Sequence, residues 1–135
     1  MIVVDTNILA YSILDQADPS IRRQAAKVLH GQVLLPPLWR HEFLNMLANY
    51  AKAKLMSLSA AEDYWHQAVA IAQEAEAEVD MVRALELADE LGISAYDAEF
   101  VALAERADTI LVTEDRRLRT AAGALAMSMK EFLAL

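Results

Sequence analysis

Three short runs of aliphatic residues, Met1–Val4, Gln32–Leu35 and Thr109–Thr113, carry almost no polar alternation and are separated by longer stretches with helical spacing. A strand that is apolar on both faces must be covered on both faces. Short buried strands alternating with helices in one chain of 135 residues therefore predict an α/β fold, a parallel sheet held between two helical layers. In open sheets of this kind a ligand sits outside the carboxyl ends of the strands, which fixes where chemistry is to be sought.

The helices carry recognisable ends. Asp18-Pro19 is an N-cap followed by proline at the first helical position, and Ile21, Ala25, Val28 and Leu29 follow at helical spacing before Gly31. Helical patterns also cover 38–54 and, from a capping box Ser59…Glu62, a stretch to about residue 76. Leu85, Ala88 and Leu91 precede a stop at Gly92, Ser94 opens a further helix, and Asp115–Ala122 ends at Gly123. Glu78–Asp80 is expected as a short third strand and Ala126–Met129 as a last one, followed by a helical turn.

Composition removes several classes. Hydrophobic residues make up 56% and charged residues 24%, enough apolar surface to offset the ordering entropy of a folded chain. There is no cysteine, hence no disulfide framework, zinc–thiolate site or cysteine nucleophile. No apolar run reaches membrane-spanning length, and Met1–Val4 lacks a basic leader, so the expectation is a cytoplasmic protein without membrane contact. The net charge of −8 disfavours general affinity for nucleic acid. The acidity is uneven, however: residues 71–108 hold eleven acidic and two basic residues, and the remainder is nearly neutral.

Four carboxylates fall at the expected carboxyl edge of the sheet. Asp5 follows the first run and Asp115 the Thr109–Thr113 run, while Glu42 and Asp97 lie early in helices that begin at that edge. Each has an ordinary reading as well. Asp5 suits a turn, Glu42 a solvated helix face, Asp97 a capping-box pair with Ser94, and Asp115 an N-cap. Together they suggest more, because crowded like charges are costly unless protonated or bound to a cation. Oxygen-only donors with no lysine among them suit a hard divalent ion, and two such ions can stabilise the attacking and leaving oxygens of a phosphoryl displacement.

The segments Ile2-Val-Val-Asp5-Thr-Asn7-Ile8-Leu9, His41-Glu42-Phe43-Leu44-Asn45, Ala95-Tyr96-Asp97-Ala98-Glu99-Phe100-Val101 and Leu111-Val112-Thr113-Glu114-Asp115-Arg116-Arg117-Leu118 resemble the successive motifs of PIN-domain ribonucleases, closely those of VapC-type toxins. The resemblance covers nearly the whole chain, in order. It implies one PIN-like domain over 1–135, a three-layer sandwich on a five-stranded parallel sheet of order 3-2-1-4-5, and Mg²⁺-dependent endoribonuclease activity, with Mn²⁺ as the alternative ion. Asp5, Glu42, Asp97 and Asp115 match the family's acidic residues; Asn7 would brace Asp5 and Thr113 would orient the fourth motif. Asp5, Asp97 and Asp115 are expected to hold the cation, and Glu42 to hold and polarise the attacking water. The partners implied are an RNA substrate, a cognate antitoxin and a second copy of the chain.

Arg116, Arg117 and Arg119 follow Asp115 and are candidates for the RNA backbone, against the plain reading of a solvated helix face. His41 is expected in a surface or packing role, since hard cations prefer oxygen and helix neighbours diverge. The apolar excess between residues 38 and 76 suits either core packing or a protein-binding groove. Two rivals remain. A phosphatase with Asp5 as nucleophile lacks a second aspartate two residues on, and a non-enzymatic Mg²⁺-binding module of receiver type lacks an acid after a middle strand.

Overall fold

The computed structural model describes residues 1–135. Its strands are β1 (Ile2–Val4), β2 (Val33–Leu34), β3 (Leu111–Val112) and β4 (Ala126–Met127), all parallel, in the order β2-β1-β3-β4. Helices α1 (Thr6–Ile13), α2 (Pro19–Val28), α3 (Trp39–Lys52), α4 (Leu58–Ala72), α5 (Met81–Leu91), α6 (Ala95–Arg106), α7 (Arg116–Ala122) and α8 (Met129–Leu133) surround the sheet. The first strand is wholly buried, as its unbroken apolar run requires.

The sheet has four strands, not the five expected. Glu78–Asp80 is outside it, because Asp80 caps α5 and accepts from the Arg83 N–H. What remains of a strand beside β2 is one bridge, Leu35 to Glu76, made by Leu35 N–H to Ala75 O (2.9 Å) and Ala77 N–H to Leu35 O (3.0 Å). The ladder stops there for a covalent reason: Pro36 and Pro37 have no N–H to donate. The Glu76 carboxylate is held instead by Trp39 Nε1 (2.7 Å) and Arg40 Nε (2.5 Å), pinning this edge to the start of α3.

One helix start and one whole helix also differ from the sequence reading. α4 is capped by Ser57, whose hydroxyl accepts from Ala60 N–H, so Ser59 lies inside the helix. α1 has no counterpart among the expected helices. Its signal is present: Asp5 in cap conformation, then Ile8, Leu9 and Ile13 on the buried side. α8 has the reciprocal capping box of the chain, between Ser128 and Glu131.

Thirty buried apolar residues form one continuous core. On the α3–α4 side it is built from aromatic rings: Trp39 lies 5.7 Å from Trp65 and 6.4 Å from Phe43. Leu44 and Leu58 on the same helices, and Leu55 in the turn between them, remain exposed, at 54%, 68% and 60%. The apolar excess of this region therefore divides between core and surface. No helix is long and apolar enough to cross a membrane.

Candidate active site

Parallel register brings the site together. Val4 pairs with Val112, so the next residues on the two strands, Asp5 and Thr113, emerge side by side at the carboxyl edge. Both are buried. The Thr113 hydroxyl donates to Asp5 Oδ2 and accepts from the Asp115 N–H (3.1 Å). Asp5 Oδ1 accepts from Ile8 N–H (3.1 Å), which also caps α1. One threonine thus links the ends of the first and fourth motifs. Asn7, expected to brace Asp5, lines the same crevice but is exposed and makes no hydrogen bond to it; Thr113 supplies that brace.

Glu42 lies in the first turn of α3 and accepts from the Thr6 hydroxyl at 2.7 Å. Thr6 was not singled out in the sequence, although its place directly after Asp5 puts it at the same edge. Asp97 lies in the first turn of α6, its N–H donating to Ser94 Oγ (3.0 Å). Its carboxyl does not return to the Ser94 N–H, as a full capping box would require. Asp115 caps α7, accepting from Leu118 N–H at 3.0 Å. So the ordinary reading of Asp115 as a cap holds locally, Asp5, which suited a turn, caps α1 instead, and both side chains also line the common space.

That space is a crevice of about 280 Å³ lined by Asp5, Glu42, Asp97 and Asp115, with Thr6, Asn7 and Asn45 and an apolar floor of Met46, Phe100 and Leu118. No lysine or arginine lines it. The electrostatic consequence is visible in the acids. Burial pushes Asp5 up to about 6, opposed by its hydrogen bonds to Thr113 and Ile8 and reinforced by the charges of Glu42 and Asp115. Burial raises Glu42, with a smaller contribution from Asp97, and burial followed by the Asp115 charge raises Asp97.

These residues suit a hard divalent cation. The donors are all oxygen, the cluster is anionic without internal compensation, and each Asp5 oxygen keeps lone-pair capacity beyond its one hydrogen bond. No three of the acids stand at the spacing of a closed ligand shell.

The three arginines after Asp115 separate. Arg119 turns inward, with Nη1 donating to Thr113 O (2.8 Å) and lying 3.8 Å from Glu114. Arg116 and Arg117 are exposed, and only Arg117 borders a cavity that reaches the acids. His41 is exposed.

A family model described as PIN domain matches residues 2–124, and the chain belongs to the PIN-domain family. PIN domains are generally nucleases, and typically use divalent metal ions. No curated protein matches significantly in sequence. Among solved structures, PAE2754 from Pyrobaculum aerophilum superposes with a TM-score of 0.76 at 22% identity, covering 98% of this chain and 93% of that one. FitAcB from Neisseria gonorrhoeae gives 0.68 at 17% identity, covering 96% and 99%. A toxin–antitoxin complex from Klebsiella pneumoniae gives 0.67 at 18% identity, covering 96% and 98%. At these identities the likeness is one of fold.

Proposed function

We propose that residues 1–135 form one nuclease domain, the toxin of a VapC-type toxin–antitoxin pair, which cleaves RNA with Mg²⁺ (or Mn²⁺) in the cytoplasm. The observation that carries this reading is the crevice itself: four carboxylates from four parts of the chain share one space with no basic side chain.

Asp5, Asp97 and Asp115 would hold the cation, which when bound offsets phosphate charge and lowers the pKa of water. Mg²⁺ keeps several waters and takes one or two carboxylates directly, which suits acids that share a crevice without closing on one point. Thr113 fixes the Asp5 carboxylate and the backbone of Asp115 at once, so two of the three acids keep a set relation. Glu42, oriented by Thr6 and raised by burial, is positioned to hold a water and accept its proton. The apolar floor of Met46, Phe100 and Leu118 restricts bulk water beneath the reacting phosphate.

The antitoxin reading rests on two supports. Structures of similar fold include toxin–antitoxin complexes. An apolar groove of about 270 Å³ between α3 and α4, bordered by Leu44, Ala48, Leu58 and Trp65, could receive a partner helix or a second copy of the chain.

Purified protein incubated with structured RNA should cleave it in Mg²⁺ and leave it intact in EDTA. Asp97→Asn should abolish cleavage while unfolding cooperatively like the parent. Turnover of a phosphate monoester with RNA left intact would instead favour the phosphatase alternative.

A further inference from the structure

A second cavity, of about 670 Å³, opens on the other side of Asp97 and Asp115. The two crevices share those acids and Leu118, so the carboxylates form a wall between them rather than the end of a closed pocket. Their chemistry differs. The inner crevice has no positive group, whereas the outer one carries Arg117 together with the hydroxyl residues Ser94 and Thr120.

A polyanionic strand presented to four acids must place its neighbouring phosphates against positive charge, or be repelled. Of the three arginines on α7, one is free to supply it. Arg119 is committed to Thr113 O and Glu114. Arg116 borders neither crevice. Arg117 is exposed, makes no ion pair and lines the outer cavity.

We infer that the substrate strand crosses the Asp97–Asp115 wall and that Arg117 holds the phosphate of the adjoining nucleotide in the outer crevice. This rests on the nuclease reading and adds to it a subsite on one defined side of the cut. Arg117 is a positioning residue: it touches substrate away from the reacting phosphorus, so its contribution exists only for substrates long enough to reach it.

The test compares Arg117→Gln and Arg117→Lys with the parent on a dinucleotide and on a labelled single-stranded oligoribonucleotide, in Mg²⁺. Lys27→Gln, in the last turn of α2 and in the lining of neither crevice, controls for loss of one charge. On the oligonucleotide, Arg117→Gln should raise KM about tenfold with kcat nearly unchanged, since a hydrogen bond to a charged group is being lost. The slope of log binding against log salt should fall by about 0.7, and Arg117→Lys should recover most of that slope. On the dinucleotide, Arg117→Gln and parent should be indistinguishable. Equal losses on both substrates, no loss on either, or an equal loss in Lys27→Gln would each overturn the subsite. Parent protein that binds the oligonucleotide with an Arg117-dependent slope yet cuts nothing would sustain the subsite and overturn the nuclease. Parent protein that neither binds nor cuts would overturn both.

Discussion

Asp5 concentrates the cost of this site in one residue. It is buried, it caps α1, and its carboxyl is pushed up to about 6 chiefly by burial. A carboxylic acid raised above its unfolded value binds protons more tightly in the folded state. Stability therefore falls as pH rises from about 4 through 6, and the ionised group remains a burden at pH 7. Asp5→Asn removes that burden while keeping an equally good cap. In EDTA the variant should be more stable than the parent at pH 7, by roughly 1–2 kcal/mol, with the difference vanishing near pH 4. Urea unfolding at the two pH values measures it; a variant less stable than the parent at pH 7 would refute the argument. The same substitution should abolish RNA cleavage. Thr113→Val should act in the opposite sense on the metal-free protein. It deletes a hydrogen bond that lowers the Asp5 pKa and leaves the Asp115 N–H without its partner. Destabilisation at pH 7 of about 1–3 kcal/mol is expected, with Thr113→Ser milder.

At the scale of elements, α6 carries Asp97 and is fixed at both ends. Ser94 caps it, and Arg83 of α5 reaches Glu105 near its far end with Nε–Oε1 at 2.7 Å. Ser94→Ala should cost about 1 kcal/mol in urea unfolding, and Ser94→Gly only a few tenths. Arg83 also pairs with Glu90 at 3.2 Å, and these carboxylates hold its pKa well above the usual range. The contacts are exposed, so Arg83→Ala should lower the melting temperature in dilute buffer and much less in 1 M salt. These elements show what a sequence makes legible. Caps with local partners, such as Asp18, Asp80 and Ser94, follow from short-range chemistry, and the helices they open are where spacing puts them, Asp80 excepted because Val79 drew it into a strand. The lost third strand depended on a pairing from residue 35 to 76, and on prolines that block the next donor; no local pattern contains that. Asp5, Glu42, Asp97 and Asp115 were readable as edge acids because strand ends and helix starts are local features. The Asp5–Thr113–Asp115 link depends on strand register, and Thr6 as partner of Glu42 depends on how α1 and α3 pack. The separate fates of Arg116, Arg117 and Arg119 likewise depend on which face of a short helix meets the sheet edge.

The whole molecule carries a net charge of −8, and two kinds of acidity contribute to it. Much of the 71–108 excess is spread over exposed helix faces, where any salt screens it. Asp5, Glu42 and Asp97 are partly or fully buried and share one crevice, so screening reaches them poorly. A divalent ion that binds the folded crevice, and not the unfolded chain, stabilises by RT ln(1 + [L]/Kd), about 2.7 kcal/mol at a hundred times Kd. For a chain of this size that corresponds to a rise in melting temperature of roughly 10 °C. The two contributions separate experimentally. At matched ionic strength, NaCl and MgCl₂ should relieve the surface excess alike, and only MgCl₂ should add a saturable increment that EDTA reverses. The increment should shrink in Asp97→Asn and nearly disappear in Asp5→Asn/Asp97→Asn, since the variants have already lost the repulsion that the ion relieves. Equal effects of the two salts on the parent would mean that the crevice holds no cation and that its acids are stabilised by protonation instead. The parent's stability would then follow the same pH dependence in MgCl₂ as in EDTA.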